Sequence, residues 1–214
     1  MNIPFLFLNQ YSINVCESMR TKEGNKEKDI IDAAIKVFAN DGYHKAKISK
    51  VAETAGVATG SVYVYYKNKE DILIQIFEQL WQKLYDEMVV ISTNTVLSPA
   101  EKIDAMIDLL FDSFTENRDL AVVFVNEQNH LMLVSKEMIF TNNFDKFMLL
   151  GENIFHDGIQ KGFFSDSIDL SIYRAYLLGA IRNLLYSWAH DPKTFPLNKI
   201  RQNIKYLSKH GIQK

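Results

Sequence analysis

Apolar residues recur at intervals of three and four along most of the chain. Period-two alternation is scarce, so the pattern predicts helices and few strands. A first helix is expected from about Lys26 to Asn40, with Ile30, Ile31, Ala34, Ile35 and Phe38 as its buried stripe and Asp41-Gly42 as its stop. A short helix follows over about Ile48–Ala55, burying Ile48, Val51, Ala52 and Ala55. Gly56-Val57 makes a tight turn into a third helix, about Thr59–Tyr65, with Val62 and Tyr66 facing inward. Asn68 then opens a long fourth helix to about Val90, with Glu70 and Asp71 placed at the positive end of its dipole.

After the polar link Ser92–Leu97, Ser98-Pro99-Ala100-Glu101 forms a capping box with proline at the first helical position. Helices are expected at about 99–115, 119–133, 136–161, 169–190 and 198–209. The fold class is therefore all-α with about nine helices. An N-terminal three-helix unit over 26–68 precedes a larger helical domain over 69–214, and residues 1–25 form a flexible extension. Within it, residues 1–18 lack the basic start and small-residue cleavage site of a signal peptide. They are expected to come from an upstream start codon.

Two short helices joined by a glycine turn and packed on a third form a helix-turn-helix. Its second short helix enters the major groove of DNA. Small residues are needed where the paired helices touch, and Ala52, Ala55 and Gly56 supply them. The outward face of the third helix must carry groups that reach bases and phosphates, and Thr59, Gly60, Ser61, Tyr63 and Tyr65 do so. Charge sharpens this picture. The whole chain carries −2, but lysines 36, 45, 47, 50, 67 and 69 face only Asp41 and Glu53 between Lys36 and Lys69. That stretch is basic inside an acidic protein, as phosphate binding requires, although a solvated lysine face is the simpler alternative.

Other chemistry is sparse. A single cysteine, Cys16, allows neither a disulfide framework nor a cysteine zinc site within one chain, which fits a cytoplasmic protein. The five histidines have no helical ligand spacing, and no nucleophile elbow or phosphate-cradling glycine loop occurs. Neither catalytic residues, a metal nor a cofactor is expected. No apolar run is long enough to span a membrane.

The string IIDAAIKVFANDGYHKAKISKVAETAGVATGSVYVYYKNKEDIL, within residues 27–81, resembles the DNA-binding domain of the TetR family of repressors. That resemblance implies base contacts from Thr59, Gly60 and Ser61, and phosphate contacts from Tyr63, Tyr65 and Lys69. Ser49 stands where relatives reach the groove from the second helix. Two departures stand out. Lys47 and Ala58 occupy the positions of the usual hydroxyl caps, so Lys47 is expected to meet a phosphate and Thr59 to cap the third helix itself.

The resemblance also implies a C-terminal domain that dimerises and binds a small hydrophobic effector. In helix 169–190, Leu170, Tyr173, Leu177, Ile181, Leu184 and Trp188 form a near-heptad seam. With Ile200, Ile204 and Leu207 on the last helix they are the expected dimer interface, although the opposite side, Ile172, Tyr176, Gly179 and Ala180, is apolar or small too. A homodimer implies a palindromic double-stranded DNA operator. Met106, Phe111, Phe114, Phe124, Phe144 and Met148, with Glu127 from the polar run Asn126–His130, are the expected effector contacts. Plain core is the alternative for each apolar one.

The chain is also similar to TetR-type FadR repressors of fatty-acid degradation, at Gly42-Tyr43-His44, Val57–Leu73, Leu120–Val123 with Glu127, Gly158–Gly162 and Trp188-x-x-Asp191. That implies a long-chain fatty acyl-CoA effector, with Lys102, Arg118, Lys136 and Lys146 as candidate partners for its phosphates. A drug-sensing efflux regulator is the alternative. An arginine expected shortly after Glu127 is replaced by Asn129 and His130.

Overall fold

A computed structural model describes residues 26–134 and 140–212, with side chains placed for 26–131 and 142–211. The extension before residue 26, and Lys136, therefore lie outside the described residues. Nine helices make up the regular structure of the described residues: α1 (26–41), α2 (Ile48–Ala55), α3 (Thr59–Tyr65), α4 (Lys69–Thr93), α5 (Pro99–Thr115), α6 (Arg118–Val134), α7 (Phe140–Gln160), α8 (Leu170–His190) and α9 (Leu197–Ile212). The chain divides into two compact units, one ending at Leu73 and one beginning at Ile74. The division falls inside α4, later than the 68/69 boundary expected from the sequence. The reason is that Lys69, Ile72 and Leu73 open α4 as part of the first unit.

In the first unit, α1 buries Ile30, Ile31, Ala34, Ile35 and Phe38 as its periodicity requires, and Ala33 and Val37 widen the stripe. Gly42 ends the helix at φ 77°. The Tyr43 ring then packs edge-on against Phe38, centroids 5.3 Å apart. Val51 and Ala52 of α2 and Val62 of α3 are fully enclosed, while Ile48 and Ala55 are half-buried. Gly56 closes α2 at φ 68°, where its own N–H and that of Val57 reach back to carbonyls of the last turn. An L side chain is strained in that left-handed conformation, so the turn demands glycine. Tyr66 returns to the core. Burial, then the carboxylates of Glu27 and Asp71, push its phenol far above the ordinary tyrosine range.

In the second unit α5 is the central helix, packed against α6, α7 and α9. Its start is fixed by the capping box: the Ser98 hydroxyl accepts from Glu101 N–H at 3.3 Å, and the Glu101 carboxylate accepts from Ser98 N–H at 2.8 Å. Asn117 receives the Leu120 N–H ahead of α6, and the Asp169 carboxylate receives two N–H groups at the start of α8. An aromatic core forms where Trp81 meets Phe124, Phe144 and Phe147. Helix α9 is held on α5 by a ladder of opposite charges: Asp104 pairs with Lys209, Asp108 with Lys205 and Arg201, and Asp112 with Arg201.

Candidate nucleic-acid interface and effector chamber

In the first unit, α3 presents Thr59, Gly60, Tyr63 and Tyr65 to solvent, with Ser61 half-buried beside them. Val64, to which the sequence pattern assigns no role, is 79% exposed on the same short helix. Gly60 is informative. A Cβ built on it meets nothing within 4 Å, so packing within the chain does not require a glycine there. A bare backbone at the start of an exposed helix lets another molecule approach closely. Lys45, Lys47 and Lys67 are exposed in the same unit, while Lys50 is paired with Glu53 at 3.2 Å. Ser49 is exposed on the first turn of α2.

The two missing caps are real. Neither Lys47 at α2 nor Ala58 at α3 makes a side-chain cap. Thr59 does not take over the task. It is the first helical residue, one position too late to cap, and its exposed hydroxyl makes no hydrogen bond among the described residues. The expectation that Thr59 caps α3 is therefore corrected, and its side chain is left available.

Lys69 differs from its expected role. Its ammonium donates to the Tyr43 carbonyl at 2.9 Å and the His44 carbonyl at 2.8 Å, and lies 4.7 Å from the centre of the Tyr43 ring. It braces the turn after α1, so a phosphate contact from Lys69 would have to share the ammonium with two carbonyls.

The second unit holds two narrow apolar cavities. One, about 50 Å³, lies among α5, α7 and α8, with Met106, Met148, Gly151, Phe155 and Tyr173 in its wall. The Arg174–Glu152 ion pair is part of its lining. The other, about 30 Å³, is lined by Trp81, Phe114, Phe124, Gln128 and Arg182. Leu110, Leu178 and Ile181 belong to both walls and separate them. Of the expected effector contacts, Met106 and Met148 line the first cavity and Phe114 and Phe124 the second. Phe111 is sealed in the core, Phe144 packs edge-on against Trp81, and Glu127 is half-buried, none of them in either lining.

Trp81, Gly151, Leu178, Arg174 and Arg182 are cavity residues that sequence reasoning missed. The two arginines carry a visible signal, since α8 holds no other Arg, Lys, Asp or Glu. The cations reserved for phosphates are mostly engaged. Lys102 donates to the Ser92 carbonyl at 2.7 Å, Arg118 to the Ala189 carbonyl at 2.7 Å, and Lys146 lies over the Tyr85 ring.

The dimer residues require a correction. Leu177, Ile181, Trp188, Ile200 and Ile204 are buried within the chain's own core, and Leu170, Tyr173 and Leu184 are half-buried. A partner cannot cover what the chain already covers. The uncovered side of α8 is the other one, with Ile172 69% and Tyr176 62% exposed, joined on α9 by Tyr206 and Leu207. Both sides of α8 are apolar, and Leu170, Tyr173, Leu177 and Ile181 of the heptad side share a cavity wall with α5 and α7. Only Leu207 of the expected set lies on the open face.

Among the described residues no cluster of metal-binding side chains occurs, and no helix is long and apolar enough to cross a membrane. Comparison with known proteins agrees with the helix-turn-helix. The family model for bacterial regulatory proteins of the tetR family matches residues 30–76, and that for the tetracyclin repressor-like C-terminal domain matches residues 96–191. The fatty acid metabolism regulator protein of Bacillus subtilis is 30% identical over 188 residues, covering 87% of this chain and 95% of its own. The fatty acid degradation regulator FadR of Bacillus halodurans superimposes with a TM-score of 0.74 at 28% identity, over 85% of this chain and 93% of that one. The FadR regulator of Bacillus subtilis, solved in complex with stearoyl-CoA, gives 0.71 at 28% identity, over 87% and 100%. These relatives are transcriptional regulators and not enzymes.

Proposed function

The chain belongs to the TetR family of bacterial regulators, and from that premise we propose that it is a dimeric repressor released from its operator by a long-chain fatty acyl-CoA. The observation that carries the DNA half of this reading is the exposed start of α3. There Thr59 and the unencumbered Gly60 stand in a unit that also exposes Lys45, Lys47 and Lys67. Thr59, Gly60 and Ser61 read bases, while Tyr63, Tyr65 and Lys47 hold phosphates. Pairing through Ile172, Tyr176, Tyr206 and Leu207 gives a twofold dimer, which presents two reading helices to half-sites about 34 Å apart. The operator is a palindrome.

The effector half rests on the apolar cavities of the second unit and on the stearoyl-CoA bound by the Bacillus subtilis relative. Ligand sites usually enclose about 300–1,000 Å³. Cavities of about 50 and 30 Å³ admit an acyl chain only when their side chains move apart. Release from DNA then requires that the ligand prefer the opened conformer and that this conformer fit the operator poorly. A ligand with equal affinity for both conformers shifts nothing.

A gel-shift titration tests the proposal. Palmitoyl-CoA or oleoyl-CoA is expected to release the operator at micromolar concentration. If no long-chain acyl-CoA releases it while a cationic amphiphile does, the reading is wrong and a drug-sensing regulator takes its place.

A further inference from the structure

The lining of the smaller cavity is apolar except for Trp81, Gln128 and Arg182. The Trp81 indole is 2% exposed, and its Nε1–H finds no acceptor among the described residues. Phe124, Phe144 and Phe147 surround its ring, so it has little freedom to turn toward solvent. Gln128 and Arg182 line the same space. Arg182 is half-buried, and its one hydrogen bond among the described residues is a long one, from Nη2 to the Val125 carbonyl at 3.3 Å. A guanidinium has five N–H donors, so most of its capacity is unused. Among the described lining residues there is no carboxylate, and the Gln128 amide oxygen is the one side-chain acceptor for these donors.

Buried donors are normally satisfied, and an orphan next to a cation points to an acceptor that arrives from outside. We propose that Trp81, Gln128 and Arg182 form the head-group site of the effector chamber, and that they recognise the carbonyl end of an acyl ligand. The acceptor is an acyl oxygen, either a thioester C=O or the carboxylate of a free fatty acid. Its tail passes between Leu110, Leu178 and Ile181, which border both cavities, into the slot beside Met106, Gly151 and Phe155. Gly151 sets the width of that slot: a Cβ there would lie 3.2 Å from the Met106 sulfur. A hydrocarbon without an acyl oxygen leaves the donors unanswered, and a cationic amphiphile meets Arg182 with like charge.

This inference rests on the acyl-effector reading above but can fail separately from it. The full chain, bound to its operator, is titrated with palmitoyl-CoA, with S-hexadecyl-CoA, whose thioether lacks the carbonyl oxygen, and with free palmitate. Wild type is expected to respond to the thioester at about tenfold lower concentration than to the thioether. In Trp81→Phe, which keeps an aromatic ring and removes the N–H, that ratio falls toward one. Release by palmitate identifies a carboxylate instead. Arg182→Met then weakens the response by about tenfold, and Arg182→Lys recovers part of it. Gly151→Val is read separately, and should shift the preferred acyl chain to a shorter one. Equal release by thioester and thioether in wild type, or an unchanged palmitate response in Arg182→Met, overturns the head-group site and leaves the repressor standing. No response to any acyl compound overturns both.

Discussion

The Phe164 ring lies against the α-carbon of Gly158, so close that a methyl group added there would come within 2.2 Å of the ring. Phe164 is itself stacked on Phe155, centroids 4.8 Å apart, and both Phe163 and Phe164 donate backbone N–H groups to the Gly158 carbonyl. The glycine is therefore what lets the end of α7 fold back over its own helix. Gly158→Ala should cost about 1–3 kcal/mol in urea unfolding. Gly158→Ala with Phe164→Leu should recover part of that loss, because the clash is with the ring.

The uncapped start of α2 separates stability from DNA binding. Lys47→Ser supplies the missing cap and should raise stability by about 1 kcal/mol. It also removes an exposed cation from each protomer, and if that cation meets a phosphate the slope of log K against log salt should flatten by about 0.9 per protomer, about 1.8 for the dimer. Urea melts and operator binding at several salt concentrations read the two effects independently. A stability gain with an unchanged salt slope would remove Lys47 from the interface.

The two sides of α8 should respond differently to substitution. Tyr176→Glu and Leu207→Glu place charge on an open apolar face, and sedimentation should show monomers that remain folded. Leu177→Ala instead hollows the core and should cost about 2–5 kcal/mol. Were Tyr176→Glu to remain dimeric, the pairing face would lie elsewhere.

The start of α5 gives a pH dependence. Hydrogen bonds from the Ser98 hydroxyl and backbone hold the Glu101 carboxyl below its ordinary value, and the Thr194 hydroxyl and backbone do the same for Asp191. A lowered pKa in the folded state stabilises above the unfolded value of about 4 and is lost as pH falls through the folded one. Thermal melts should therefore drop below about pH 4. In Ser98→Ala the contribution of Glu101 to that acid limb should shrink to the share carried by the backbone N–H.

Elements with local punctuation were legible in the sequence. Gly56 fixes the end of α2, and the Ser98–Glu101 box fixes the start of α5. Both signals act within one turn of chain, so no distant contact is needed to read them. The exposed face of α3 was legible for the same reason. Which side of α8 turns inward was not, because Leu177 and Tyr176 are both large and apolar and only the placement of α5 and α7 around Leu177 chooses between them. Lys69 shows a different limit. A lysine at the start of a helix looks free in one dimension, but the chain brings two carbonyls to it from the turn after α1. The orphaned N–H of Trp81 was not legible either, because it depends on which neighbours fail to offer an acceptor.

The partition of Leu110, Leu178 and Ile181 between the two cavities has a consequence for timing. A chamber that must open before it fills limits the rate at which ligand is captured, however abundant the ligand becomes. Stopped-flow traces should then reach a plateau with increasing acyl-CoA, set by the opening step alone. Such a switch ignores brief surges and answers only to a supply that outlasts the opening time, so that it measures duration as well as amount.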